Sequence, residues 1–357
     1  MRFSDVLDIR NGRNQRQVEN ENGKYPIYGS GGVIGHADNF ICDAETVVIG
    51  RKGSINNPIF VDEPFWNVDT AFGLVANKEV LLPKYLYYFC VNYNFEQLNT
   101  TVTIPSLTKA NLLQIEIRVP DMDIQQNIVN VLDKICYLID VRRKELYSLD
   151  QLVKSRFIEL FGDPKDNPKG YSKKQLKETC RVITGNTPSR AVSEYYGDHI
   201  EWIKTDNIVS GLLNPTTATE SLSEKGMAVS RTVESGAILM ACIAGSIASI
   251  GRVCVTDRKV AFNQQINAIV PSDYNILFLY VMLQISKEYL VDEINMALKG
   301  ILSKSKLEEK TFYVPPMELQ EQFAAFVTQV DKSKLAVQQG LQELETLKKS
   351  LMQQYFG

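Results

Sequence analysis

One feature constrains this chain more than any other: an internal repeat of long period. Leu107 to Gly162 aligns without a gap to Leu302 to Gly357, at a constant offset of 195 positions. Met122, Gln125, Leu146, Leu149, Leu152, Lys154, Ser155, Phe161 and Gly162 recur as Met317, Gln320, Leu341, Leu344, Leu347, Lys349, Ser350, Phe356 and Gly357. In each copy a Val-Pro pair, Val119-Pro120 or Val314-Pro315, closes an extended segment, and a long helical pattern follows. Ile124, Ile128, Val131, Ile135 and Leu138 step by fours and threes; Leu146, Leu149 and Val153 continue after a slip. Leu319, Phe323, Phe326, Val330, Val337, Leu341 and Leu344 step likewise in the second copy. Such alternation is the pattern of a coiled-coil seam. Phe161-Gly162-Asp163-Pro164 is a stop signal for the first helix. Gly340, inside the second, costs about 1 kcal/mol relative to alanine.

The regions ahead of the helices are more loosely related. Phe3 to Gly12 parallels Leu176 to Gly185, the run from Thr46 to Ile55 parallels Ala237 to Ile247, and Asn67 to Phe72 parallels Asn263 to Ala268. Short β-branched and apolar runs broken by Gly, Asn and Asp predict strands and turns. The expected division is a globular region over 1–118, a helix over 119–162, a linker and second globular region over 163–313, and a second helix over 314–357. The stretch from Asp163 to Tyr171 is the linker.

Composition narrows the function. The longest apolar stretch, Ala237 to Ala244, is too short to cross a bilayer, so no membrane role is expected. Six scattered cysteines without a C-x-x-C pair suit free thiols in the cytoplasm better than a disulfide framework or a zinc site, and two histidines argue against a metal centre. The net charge is −3; residues 1–118 carry 11 basic and 13 acidic side chains, and residues 163–313 carry 18 and 17. DNA binding needs a basic patch and not a basic protein, but this balance predicts weak binding by the chain alone.

Catalytic patterns are incomplete. Asn57-Pro58-Ile59-Phe60 is similar to the N-P-P-[FY] motif of amino-methyltransferases, but Ile59 replaces the second proline and no glycine-rich cofactor loop precedes it, so a turn is the expected reading. Glu308-Glu309-Lys310 downstream of Asp273 echoes a magnesium nuclease; the first repeat has Leu113, Gln114 and Ile115 there, so a solvated charge cluster is expected. Gly29 to Gly35 lacks the spacing of a nucleotide loop, and Gly23-Lys24 is followed by Tyr25, which excludes a Walker A loop.

The chain resembles the specificity subunits of Type I restriction-modification systems over nearly its whole length. The likeness is carried by SRFIELFGDP (Ser155 to Pro164), LKKSLMQQYFG (Leu347 to Gly357), GNTPSR (Gly185 to Arg190) with EYYGDHIEWIKTDNI (Glu194 to Ile208), and YPIYGSGGVIG (Tyr25 to Gly35) with IGRKGSI (Ile49 to Ile55). The resemblance implies an α+β chain: two mixed α/β target-recognition domains joined by a pair of long antiparallel coiled-coil helices, with pseudo-twofold symmetry. It implies that each domain reads half of a split double-stranded DNA site. It implies no catalytic centre, docking of two methyltransferase subunits, and restriction subunits in the full complex. S-adenosylmethionine, ATP and magnesium would then belong to the partners, with no cofactor or metal in this chain.

The DNA-contact candidates are loop residues that can meet phosphates or base edges. In the first region they are Arg10, Arg13, Asn14 and Arg16, then Arg51, Lys52 and Ser54. In the second they are Thr187, Ser189 and Arg190, then Lys204, Thr205 and Asn207. For any one of them a solvated surface role is the alternative. Two other classes remain beside the DNA-reading subunit: a cryptic methyltransferase or nuclease, and a structural scaffold. A specificity chain of another restriction-methylation type is a further alternative.

Overall fold

The computed structural model of the protein describes residues 1–98, 106–292, 294 and 300–357, and the repeat seen in the sequence is a repeat of elements. Contacts divide the chain into two units, Met1–Arg143 with Gln339–Gly357, and Lys144–Gln338.

The first unit opens with α1 (Phe3–Val6), β1 (Leu7–Asn11), β2 (Tyr25–Gly29), β3 (Gly32–Ala37), β4 (Thr46–Gly50), β5 (Ile59–Val61), β6 (Trp66–Asn67) and β7 (Ala71–Ala76). Helices α2 (Pro83–Asn92), α3 (Lys109–Leu113) and the long α4 (Met122–Phe161) follow. The second unit holds β8 (Lys173–Gln175), α5 (Leu176–Thr179), β9 (Cys180–Thr184), β10 (Tyr196–Gly197), β11 (Ile200–Ile203), β12 (Ser221–Leu222), α6 (Glu224–Ala228), β13 (Thr232–Val233), β14 (Ile238–Ala241), β15 (Val253–Val255), β16 (Val260–Phe262) and β17 (Ile266–Pro271). It continues through α7 (Ile276–Ile285), α8 (Lys287–Val291), α9 (Lys304–Glu309) and β18 (Thr311–Tyr313) into the long α10 (Met317–Phe356).

The sheets match. The order β1-β7-β4-β5 in the first unit is repeated as β9-β17-β14-β15 in the second, antiparallel throughout. Each unit also has a sheet with one parallel pair, β2 with β6 and β11 with β16. The lead-ins to β1 and β9 are alike in detail: Asp5 caps the backbone N–H of Arg2, and Glu178 caps that of Gln175, so a one-turn helix feeds each of these strands.

Within each unit the segments of the two long helices run antiparallel. In the first, Arg143 pairs with Glu345 at 2.8 Å, while Met352 and Phe356 of α10 reach the core built on Phe3, Tyr85 and Phe89. In the second, Asp150 pairs with Lys334 at 2.7 Å, while Phe157 and Phe161 of α4 pack with Phe278 and Phe323. Phe157 and Phe161 are the repeat counterparts of Met352 and Phe356. Each core thus contains the start of one long helix and the end of the other. The stop signal at the end of α4 has a physical cause: Gly162 has φ +82°, and a Cβ there would lie 2.2 Å from Pro168 Cγ.

The expected seam holds in part. Ile128 and Ile135 are buried, but Ile124, Val131 and Leu138 are exposed. The buried face of the first half of α4 is Gln125, Ile128, Val129, Leu132, Ile135 and Ile139. That is a wide 3.6-residue stripe facing a domain core, not a narrow 3.5-residue seam. In α10 the expected Phe323, Val330 and Val337 are buried.

The repeated glutamine ties these helices down. Fully buried Gln125 accepts a hydrogen bond from the Leu82 N–H, ahead of α2, and donates to the carbonyls of Val80 and Pro120, at 2.8–2.9 Å. Gln320 accepts from the Asn275 N–H ahead of α7 and donates to the Pro315 carbonyl. Gln125→Leu keeps the volume but orphans these buried groups, so it is expected to cost about 2–4 kcal/mol. Guanidinium denaturation checks this; a loss below about 0.5 kcal/mol, the size of an ordinary surface change, would refute the tethering role.

Candidate nucleic-acid interface

In the first unit, five chain segments meet at one end of the sheets. The Arg13 N–H donates to the Asn67 carbonyl at 3.0 Å, the Val68 N–H to the Tyr28 carbonyl at 3.0 Å, the Arg51 N–H to the Thr70 carbonyl at 2.8 Å, and the Leu107 N–H to the Arg51 carbonyl at 2.9 Å. Lys52 bridges to Ser106. Gly12 lies so close to the 67–68 turn that a Cβ would sit 1.8 Å from the Val68 carbonyl oxygen.

The second unit repeats this frame bond for bond. The Asn186 N–H donates to the Phe262 carbonyl, that of Asn263 to Ile203, that of Cys242 to Gln265, and that of Leu302 to Cys242, at 2.8–3.1 Å. Ile243 bridges to Ile301, and a Cβ on Gly185 would lie 2.1 Å from the Asn263 carbonyl oxygen.

The chain's two tryptophans serve the same point of this frame. The Trp66 indole N–H donates to the Arg13 carbonyl at 2.9 Å, and the Trp202 indole N–H donates to the Asn186 carbonyl at 3.3 Å. Arg13 and Asn186 are counterparts, each following the close-approach glycine. The tryptophans are not counterparts. Trp66 is on β6 and Trp202 on β11, the opposite members of their parallel strand pairs. Two different side chains therefore pin the same loop.

Onto this shared frame the units place different chemistry. Exposed Arg51 has its guanidinium 5.7 Å from the Phe72 ring centroid, with Lys52 and Ser54 in the same exposed loop. The backbone counterpart of Arg51 is Cys242, which is buried. Asn14 accepts from the Arg16 N–H, forming the turn that presents Arg13 and Arg16. Arg10 stands apart on β1, paired at 3.1 Å with Asp8, which also draws Lys109 to 3.6 Å.

In the second unit Arg190 comes from the loop after Gly185, the match of the loop after Gly12, and Lys204 comes from the end of β11, whose match in the first unit is the end of β2. Arg190 donates to Glu220 at 2.7 Å, and Lys204 pairs with the other oxygen of the same carboxylate. The guanidinium lies 4.6 Å from the Tyr196 ring centroid and 5.4 Å from that of Trp202; the Lys204 ammonium is 5.1 Å from Trp202. Lys204, then Arg190, holds the Glu220 carboxyl below the usual carboxylate range. Thr187 is hydrogen-bonded to Gln264, and Ser189 is exposed in the same loop. The Thr205 carbonyl accepts from Arg252. Asn207 is turned inward. Its side chain accepts from the Lys204 N–H and donates to Thr216 and Thr217, so it shapes the loop instead of facing a ligand. Glu220 and Trp66 are absent from the sequence expectations, and Tyr196 and Trp202 enter them only inside the Glu194 to Ile208 motif, not as site residues.

The patterns that echo catalysis are accounted for by the fold. Ile59 and Phe60 lie in β5, where Phe60 pairs with Val47 and its ring meets Tyr87. Lys310 is buried against Asp292 and the Tyr289 ring, Glu308 pairs with Lys304, and Asp273 pairs with Lys174. The carboxylates of the nuclease-like pattern are thus engaged separately. Gly29 and Gly32 form the tip of the β2–β3 hairpin. The six cysteines are free, and burial pushes the thiols of Cys42, Cys180, Cys242 and Cys254 up to about 12. Among the described residues no helix is long and apolar enough to cross a membrane.

Comparison with known proteins bears on this frame. A family described as "Type I restriction modification DNA specificity domain" matches residues 1–151 and 168–346. The specificity subunit of the Type I restriction enzyme HindI of Haemophilus influenzae is 24% identical over 308 residues. That match covers 63% of this chain and 66%, just under two thirds, of the relative. The MjaIX specificity subunit of Methanocaldococcus jannaschii is 23% identical over 334 residues, covering 85% of this chain and 73% of the relative. Among solved structures, the S subunit of a Type I restriction-modification system from M. genitalium has the same fold, with a TM-score of 0.64 at 17% identity. The likeness covers 100% of this chain and 95% of that one.

Proposed function

The chain belongs to the Type I restriction-modification DNA specificity family, and from that premise we propose that it reads a bipartite double-stranded DNA site, one half per unit, and docks the methyltransferase and restriction subunits that act there. One observation carries this reading: two backbone frames that match bond for bond present different side chains, Arg51 in one and Arg190 with Lys204 in the other. Two related readers of different sequences need that combination. A scaffold alone needs the frame but not the divergence.

Docking is supported by α4. Ile124, Val131 and Leu138 repeat every seven residues on its exposed face, which suits a partner helix. In this reading methyl transfer and cleavage, with S-adenosylmethionine, ATP and magnesium, belong to the partners, and the complex works in the cytoplasm. The test is to map methylated bases genome-wide in cells with and without the chain. A split motif that vanishes with the chain supports the reading. Methylation that is indifferent to the chain refutes it.

Arg51→Ala is expected to weaken discrimination in one half-site only, and Arg190→Ala in the other, by about 1–3 kcal/mol each. The same methylation maps report this. Equal damage to both halves by either variant would contradict one reader per unit.

A further inference from the structure

The cluster around Glu220 has an unusual composition for a surface that is to meet DNA. Glu220 places a carboxylate between two of the second unit's candidate cations, where it lowers their net charge. Phosphate contact gains nothing from this, because a phosphate asks only for nearby positive charge and a flexible lysine supplies it. Reading a base is a different task. Bidentate recognition needs a guanidinium plane held in one orientation, and arginine to guanine O6 and N7 is the commonest such contact.

The geometry around Arg190 meets that need. One Nη donates to Glu220 at 2.7 Å, and the guanidinium rests over Tyr196 and Trp202. Its remaining N–H groups make no hydrogen bond among the described residues, and more than half of the side chain is exposed. Tyr196 is itself fixed, its hydroxyl donating to the Pro188 carbonyl at 2.8 Å, and Trp202 is anchored on Asn186. Lys204 takes the second oxygen of Glu220, which keeps the carboxylate from turning toward Arg190 alone.

We propose that Arg190 reads a guanine in the half-site of the second unit and that Glu220 is the positioning residue that aims it. This rests on the DNA-reading role argued above and adds the base, the reader and the residue behind it.

The experiment compares methylation maps of cells carrying the wild-type chain, no chain, Arg190→Lys, Glu220→Gln, and the double variant. Arg190→Lys keeps the charge and the ion pair but loses the fork. It is expected to relax a single guanine position by about 10- to 100-fold in preference, leaving the other half-site intact. Glu220→Gln removes a negative charge, so it should relax the same position while total methylation at related sites holds or rises. If Glu220 acts only through Arg190, the double variant is no more relaxed than Arg190→Lys alone.

Uniform weakening by Arg190→Lys with an unchanged motif would make Arg190 a phosphate contact and overturn the proposal. So would uniform loss in Glu220→Gln, or additive relaxation in the double variant. Thermal melting of each purified chain identifies a folding defect. If Glu220→Gln melts early, Arg190→Lys, which keeps the pair, decides alone. A wild-type map without any chain-dependent motif would instead refute the DNA-reading role, and this proposal with it.

Discussion

Ending the chain after Lys349 is expected to unfold its beginning. The last turns of α10 carry Leu351, Met352, Tyr355 and Phe356, and these side chains pack into the core of the first unit. Phe356 lies 5.1 Å from Tyr85 and 6.3 Å from Phe89, ring centroid to centroid, and Met352 is buried. A large apolar side chain contributes about 1.5–3 kcal/mol on full burial, so losing one buried and three partly buried side chains costs about 4–8 kcal/mol. Native domains hold about 5–15 kcal/mol in all. Hydrogen exchange should therefore show lost protection in α2 and β1, far away in sequence, with α7 of the second unit unchanged. The converse variant, Phe157→Ala, acts on the other unit. It removes a ring between Phe278 and Phe323 and should cost about 3–5 kcal/mol there. Fraying limited to the last residues of α10 after truncation would refute the exchange of helix ends between the two cores.

That exchange was half legible. The offset of 195 residues marked Phe161 and Phe356 as counterparts, and the proline and glycine signals marked where the helices start and stop. Periodicity alone did not say which core each end enters, because a pattern of apolar positions carries no address. For the same reason the heptad reading put Ile124, Val131 and Leu138 inside. The first half of α4 packs on a domain, and Gln125, Val129, Leu132 and Ile139 complete its wider buried face.

The backbone frame of the candidate interface was legible in outline. The glycines at 12 and 185 and the loops after them stood out in sequence, and the backbone forces that choice, since any Cβ would overlap a carbonyl oxygen. Matching by residue type then misled by one position. Asn67 and Asn263 look like a pair, but the hydrogen bonds make Val68 the counterpart of Asn263 and Asn67 the counterpart of Phe262. Glu220 gave no signal, because an acidic residue is not sought in a DNA reader; its place between Arg190 and Lys204 emerges only in the folded chain. Asn207 showed the opposite failure. Its amide suggested base reading, while burial assigns it to holding the loop.

The charge balance leads to the second large effect. Each unit carries nearly equal numbers of acidic and basic side chains, and the cations that stand ready for DNA are partly neutralised, Arg10 by Asp8 and the Arg190–Lys204 pair by Glu220. The chain alone therefore has little positive field with which to displace counterions from a duplex. In the proposed assembly the methyltransferase subunits add the phosphate contacts, and this chain adds the choice of sequence. Cognate duplex should then bind the isolated chain weakly and the assembly at least about 100-fold more tightly. An assembly that covers about six phosphates should lose roughly 1,000-fold in affinity between 50 and 200 mM salt. Arg51→Ala and Arg190→Lys should lower the ratio of cognate to random binding, with little change in the salt slope of random binding. Fluorescence anisotropy on labelled duplexes, read across a salt series, measures all of these quantities. Tight binding by the isolated chain that stays level as salt rises would contradict this division of labour between partner charge and the reading loops.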